Sequence, residues 1–340
     1  MAWPDKLPPM SLPVIGAPLF IISCPKLVIA QCKNGVIGAF PALNARPEPV
    51  FGDWLAEITA GLAAFTKENP GAEVAPFAVN QIIHPSNDRL AADLDLCEKY
   101  KVPIVITSLS APSQIVPRVH SWGGLVFHDV ISVRHAKKAI EAGVDGLILV
   151  CAGAGGHAGT LSPFALTEEV RKVWQGPIAL AGAIATGRAV LAARAMGADF
   201  AYVGTRFIAA EEANADPRHK QMIAASEAAD ILYTAYFTGV PGNYLRQSVI
   251  NAGLDPDHLP SRDKTVMSFE AGKAPETVKA WRDIWGAGQS VGAIDDVLPA
   301  ADIIARLRTE YRQAKAEFCA STSSGKAEID SHPENGIEST

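Results

Sequence analysis

At 340 residues, with 48% hydrophobic and 19% charged side chains, the chain carries enough apolar material for a large buried core and too little charge for a disordered one. Its net charge of −6 comes without a basic block, which argues against a nucleic-acid partner, and neither a membrane span nor a secretory leader is predicted. Five cysteines (Cys24, Cys32, Cys97, Cys151 and Cys319) form no CxxC and no zinc spacing, which predicts no metal site and a reducing, cytoplasmic setting.

Along the chain, short aliphatic runs alternate with amphipathic stretches. Strands are predicted at Val14–Ala17, Val36–Phe40, Ala75–Val79, Ile104–Thr107, Leu125–Phe127, Gly146–Val150, Ile178–Ala181 and Phe200–Val203. Helical periodicity is clearest at Trp54–Lys67, Arg89–Tyr100, Val133–Ala142, Thr167–Trp174 and Arg188–Met196. Eight strands with helices between them predict an α/β fold with a parallel sheet. Closing it into a (β/α)8 TIM barrel removes the edges an open sheet would expose. Gly143 and Gly197 directly follow helices and suit left-handed C-caps, and Thr186 and Thr205 stand where N-caps would. Residues 209–290 lack strand signals and are expected to form a helical insertion capping the barrel mouth after the eighth strand. Its aromatics (Tyr233, Tyr236, Phe237, Tyr244, Trp281, Trp285) either pack that cap or, around Tyr236–Tyr244, wall a substrate site. Residues 1–208 and 291–317 would then make the barrel, and 318–340 a disordered tail.

In such a barrel, function gathers in the loops after the strands. After the sixth predicted strand comes GAGGHAG, residues 153–159, where small residues surround one titratable side chain, His157. Either a tight turn carries an incidental histidine, or a flat ligand lies against the backbone with His157 as its acid/base group. Gly182 and Gly204-Thr205, after the seventh and eighth strands, would let backbone N–H groups approach a phosphate. No GxGxxG opens a helix with a downstream acid, and no HExxH or G-x-S-x-G is present.

The segments PVIGAPLF, PFAVNQ, VDGLILVCAGAGGHAG, LAGAIATGRAV, YVGTRF and GQSVGAIDDVLPAADIIARL occur in that order. In them the chain resembles the FMN-dependent nitronate monooxygenases, formerly called 2-nitropropane dioxygenases. The resemblance implies a barrel binding FMN non-covalently, with the phosphate at Gly182 and Gly204-Thr205, Asn80 on the isoalloxazine or ribityl chain, and His157 facing the flavin as the catalytic residue. The cofactor-binding set carried over is Ala17, Pro18, Leu19, Asn80, His128, Gly156, Ala181, Gly182, Ala183, Gly204 and Thr205. It further implies oxidation of alkyl nitronates, or of nitroalkanes, by O2 to a carbonyl compound and nitrite, by a monomer or homodimer without nucleic-acid or membrane partners. His128 stands where many relatives carry a lysine, Ala183 replaces a second glycine, and Thr186 replaces an aspartate. Thr160 replaces the glutamate of the related flavin-dependent enoyl reductases, whose NAD(P)H chemistry on a quinone or enoyl thioester is the alternative.

Overall fold

A computed structural model describes residues 12–259 and 282–329, together with Leu7 and Met10. Its strands are β1 (Val14–Gly16), β2 (Gly38–Pro41), β3 (Phe77–Ile83), β4 (Ile104–Leu109), β5 (Leu125–Val130), β6 (Gly146–Val150), β7 (Gly156–His157), β8 (Ile178–Ala181), β9 (Phe200–Val203), β10 (Ile231–Thr234) and β11 (Gly242–Leu245). Eight of them form one parallel sheet in the order β1-β9-β8-β6-β5-β4-β3-β2. The ring is completed between β1 and β2 by the bridge Ile15–Ile37 and the bond from Gly16 N–H to Ile37 O (2.8 Å). With helices on the outside, this is the (β/α)8 barrel that the alternation of runs predicts.

Period-two alternation divides the apolar side chains between two compartments. Ile15, Ala39, Ala78, Ile106, Phe127, Ile148, Ala179 and Phe200 pack inside the barrel. Val14, Phe40, Val79, Val105, Val126, Leu147, Leu180 and Val203 pack outward against the helices. The barrel floor needs Gly146 because a Cβ there would lie 2.3 Å from the Phe127 ring. That ring meets Phe200 edge-on at 6.1 Å.

The helix-ending glycines behave as expected, Gly143 at φ +84° and Gly197 at φ +96°. Thr186 caps the helix Gly187–Ala195, its hydroxyl accepting from Ala189 N–H (3.1 Å). Thr205 does not cap: it is the first residue of the short helix Thr205–Ile208, and its hydroxyl accepts from Gly288 N–H (2.9 Å) instead.

Two expectations about the C-terminal half are corrected. The segment 209–290 contains β10 and β11, which with β7 form an antiparallel sheet in the order β10-β11-β7. Trp281 lies outside the described residues. The closing helix Ala300–Ile329 runs past position 318, where disorder is expected from sequence, and residues 330–340 of that tail lie outside the described residues.

The closing helix packs so tightly on Gly187 that a Cβ there would sit 2.2 Å from Leu307 O and 2.3 Å from Tyr311 N. Backbone atoms cannot swing aside, so Gly187→Ala is expected to cost about 1–3 kcal/mol of unfolding free energy. A lower urea midpoint with unchanged slope would show this; an unchanged midpoint would show that the helices part freely.

Candidate active site

At the C-terminal end of the barrel is a cavity of about 410 Å³, large enough for a cofactor-sized ligand. Its floor is made by inward side chains near the strand ends: Asn80, Ser108, Asp129, Val150, Ala181 and Tyr202. The side toward β3, β4 and β5 is polar. Asn80 Nδ2 donates to Ser108 Oγ (2.8 Å) and to Ile106 O (3.3 Å), and Ser108 Oγ donates to Asp129 Oδ2 (2.6 Å). Burial pushes the Asp129 carboxyl up to about 6, against the lowering effect of the Ser108 hydrogen bond.

The opposite side is built from small residues on β1, β8 and β9 and their loops. Ala17, Pro18, Leu19, Ala181, Gly182, Ala183, Gly204 and Thr205 all line the cavity. Gly182 takes φ +138° and Ala183 φ +54°, so this turn uses the left-handed region even at an alanine. A Cβ on Gly204 would meet nothing nearer than Ala17 Cβ and Leu19 Cδ2, both at 3.6 Å, so the missing side chain here leaves open cavity. Arg206 takes no part: its guanidinium pairs with Asp296 at 2.9 Å.

The His157 loop is held from above by the insertion. His157 pairs with Gly242 and Gly156 with Asn243 across β7 and β11. Asn243 Nδ2 donates to Ala154 O (2.6 Å), and Tyr233 OH to Ala158 O (3.0 Å). Several glycines of the loop serve backbone-on-backbone packing. A Cβ on Gly155 would lie 2.8 Å from Gly288 N, and one on Gly159 2.8 Å from Val150 O. The tight-turn reading of these glycines therefore holds alongside any ligand role.

His157 lines the cavity, with Nε2 2.9 Å from Thr238 Oγ1. Thr238 Oγ1 donates to Val240 O (3.0 Å) and accepts from Val240 N–H (3.4 Å), so the same hydroxyl ties the His157 ring to the 238–240 turn. Burial lowers the imidazole pKa to about 4, so the ring is neutral near pH 7.

Of the residues expected from sequence to bind cofactor, Asn80 and Gly156 join the small-residue set in lining the cavity, and His128 does not. Strand β5 continues to Val130 instead of ending at Phe127, so His128 has outward parity and Asp129 takes the inward place. His128 Nδ1 lies 2.8 Å from Thr107 Oγ1, and burial lowers its pKa to about 4. Sequence reasoning also missed Ser108, Asp129, Tyr202, Thr238, His219 and Ser290, all of which line the cavity. The alternation within β3, β4, β5 and β9 could have found the first three. No local signal marks Thr238 or His219, which come from the insertion. His219 stacks on Trp285 (5.1 Å, 10°), its ring bonds Gly286 O (3.2 Å), and burial lowers its pKa to about 4.

His128 and His219 are 3% and 4% exposed, so their protonation is tied to unfolding. With folded pKa values of about 4 against 6.5 unfolded, each makes the folded state bind fewer protons below pH 6.5, and stability falls as pH drops toward 4. Asp129 acts oppositely, because its raised pKa imposes a cost above about pH 6 that acid relieves. At about 1.4 kcal/mol per pH unit per group, the net loss from pH 6.5 to 5 is roughly 2–3 kcal/mol. Urea unfolding at the two pH values measures it; equal midpoints would mean that these histidines are not held neutral by burial.

A sequence profile of the nitronate monooxygenase family matches residues 77–310. A nitronate monooxygenase of Paraburkholderia phytofirmans is 27% identical over 355 residues, covering 89% of this chain and 93% of its own. The nitroalkane oxidase of Streptomyces ansochromogenes superposes with a TM-score of 0.72 at 22% identity, covering 92% of this chain and 99% of its own. The enoyl reductase domain of MlnA from Bacillus amyloliquefaciens shares the fold at a TM-score of 0.63 and 14% identity, over 91% of this chain and 96% of that one.

Proposed function

The chain belongs to the nitronate monooxygenase family, and from that premise we propose that it binds FMN in the barrel cavity and oxidises alkyl nitronates, with O2, to a carbonyl compound and nitrite. The carrying observation is His157, a neutral imidazole held by Thr238 at the rim of a cavity floored by small and hydrogen-bonding residues.

The residues fit the cofactor. Gly182 and Gly204-Thr205 would hold the phosphate through backbone groups, since Arg206 is committed to Asp296. Ala17, Pro18, Leu19, Ala181 and Gly156 leave room for a flat ring, and Asn80 presents its amide on the polar side. When bound, FMN supplies the electron acceptor for substrate oxidation. The protein supplies position, exclusion of water and a base. The neutral His157 imidazole takes the α-proton when the substrate is a neutral nitroalkane, and Thr238 holds the ring in place through Nε2. Leu19, Ile82 and Ile184 wall the cavity with apolar surface, which keeps water from competing for that proton.

Reconstitution tests the cofactor directly. Protein stripped of ligand should quench FMN fluorescence at one site per chain, and riboflavin should bind more weakly for want of the phosphate. Absence of quenching would overturn the flavin reading.

A further inference from the structure

Of the buried polar side-chain atoms without a hydrogen-bond partner among the described residues, those lining the cavity are Asp129 Oδ1 and Tyr202 OH. Leaving such atoms buried and unmatched is costly, so a pair of them at the floor of one cavity points to a ligand that matches both. They differ in polarity. Asp129 is anchored through Oδ2 by Ser108, itself held by Asn80, which leaves Oδ1 to accept. Tyr202 brings an O–H, and burial, reinforced by the neighbouring Asp129 charge, keeps that phenol protonated, so it donates. They approach from β5 and β9, on different sides of the barrel floor. A ligand edge with an N–H beside a carbonyl, the pattern of a cyclic imide, would satisfy both the acceptor and the donor.

We propose that Asp129 and Tyr202 read the imide edge of the bound flavin, Asp129 Oδ1 accepting the ring N–H and the Tyr202 hydroxyl donating to an adjacent ring carbonyl. This rests on the flavin reading above and assigns the ring-edge contact to Asp129, not to His128, whose side chain lies outside the cavity. Oxidised flavin has a single ring N–H, so a methyl group at that nitrogen removes the donor and leaves the rest of the cofactor unchanged.

The test compares FMN with 3-methyl-FMN by fluorescence quenching, in wild type, Asp129→Ala and Tyr202→Phe. Wild type should prefer FMN by about 10-fold or more, as for loss of one charge-assisted hydrogen bond. In Asp129→Ala that preference should collapse toward unity. Tyr202→Phe should bind FMN several-fold more weakly, on the order of one neutral hydrogen bond, and keep the preference. Should Asp129→Ala fail to fold, Asp129→Asn keeps the shape, removes the charge and should show a smaller preference than wild type. Equal binding of the two flavins by wild type, or an unchanged preference in the Asp129 variants, overturns the inference while leaving FMN binding intact. Failure of wild type to bind FMN overturns the flavin reading and this inference together.

Discussion

His157→Ala is expected to retain FMN and to lose about 10²–10⁴-fold in turnover of a neutral nitroalkane. Turnover of a preformed nitronate, which has no α-proton to remove, should fall far less. The split follows from the geometry. His157 lines the cavity beside Thr238, and burial keeps the imidazole neutral down to about pH 4. A neutral ring can take a proton; it cannot hold a nitronate as a standing cation at pH 7. The same reasoning places the acid limb of nitroalkane turnover near pH 4, well below the ordinary histidine range. Steady-state turnover on nitroethane and on its nitronate measures both effects. Equal losses on the two substrates would mean that His157 positions the substrate and moves no proton, and undiminished turnover on both would make it structural.

Gly204→Val is expected to fold normally and to bind FMN about 10–100-fold more weakly, the steric cost of about 1–3 kcal/mol falling on the ligand. The backbone at Gly204 has φ −105°, which valine adopts readily, and the first added carbon meets only ordinary contacts at 3.6 Å. Its methyl groups would then fill cavity space beside Ala17 and Leu19, where the proposed FMN site lies. Gly182→Val should fail differently, because φ is +138° there and a Cβ would lie 2.7 Å from Ala152 O. That variant should lose stability before its affinity can be read. Thermal melts alongside FMN titrations separate the two cases, and unchanged affinity in Gly204→Val would move the cofactor away from this loop.

The barrel was legible because strand residues buried on two sides read as aliphatic runs, such as Gly146–Val150 and Phe200–Val203, found with unshifted ends. The site was legible where small residues replaced bulky ones at strand ends. It was misread at β5, where three apolar residues marked the strand and the polar His128-Asp129 looked like a loop. Polar residues continue that strand because its inward end faces a cavity, and parity then exchanges the roles of the two side chains. The insertion was harder. The β10 and β11 segments, ILYT and GNYL, are short, and the sheet forms by pairing with Gly156-His157 about 85 residues away in sequence, which no local pattern reports. Thr238, which orients His157, is invisible for the same reason.

Anaerobic mixing of the FMN-loaded protein with propyl-2-nitronate, followed at the flavin absorbance band, tests the central claim most directly. Bleaching by the nitronate within the turnover time, and recovery of colour when O2 is admitted, is the expected result. Bleaching by NADH with no response to the nitronate would contradict it and assign the cavity to the reductase chemistry that the same fold also supports.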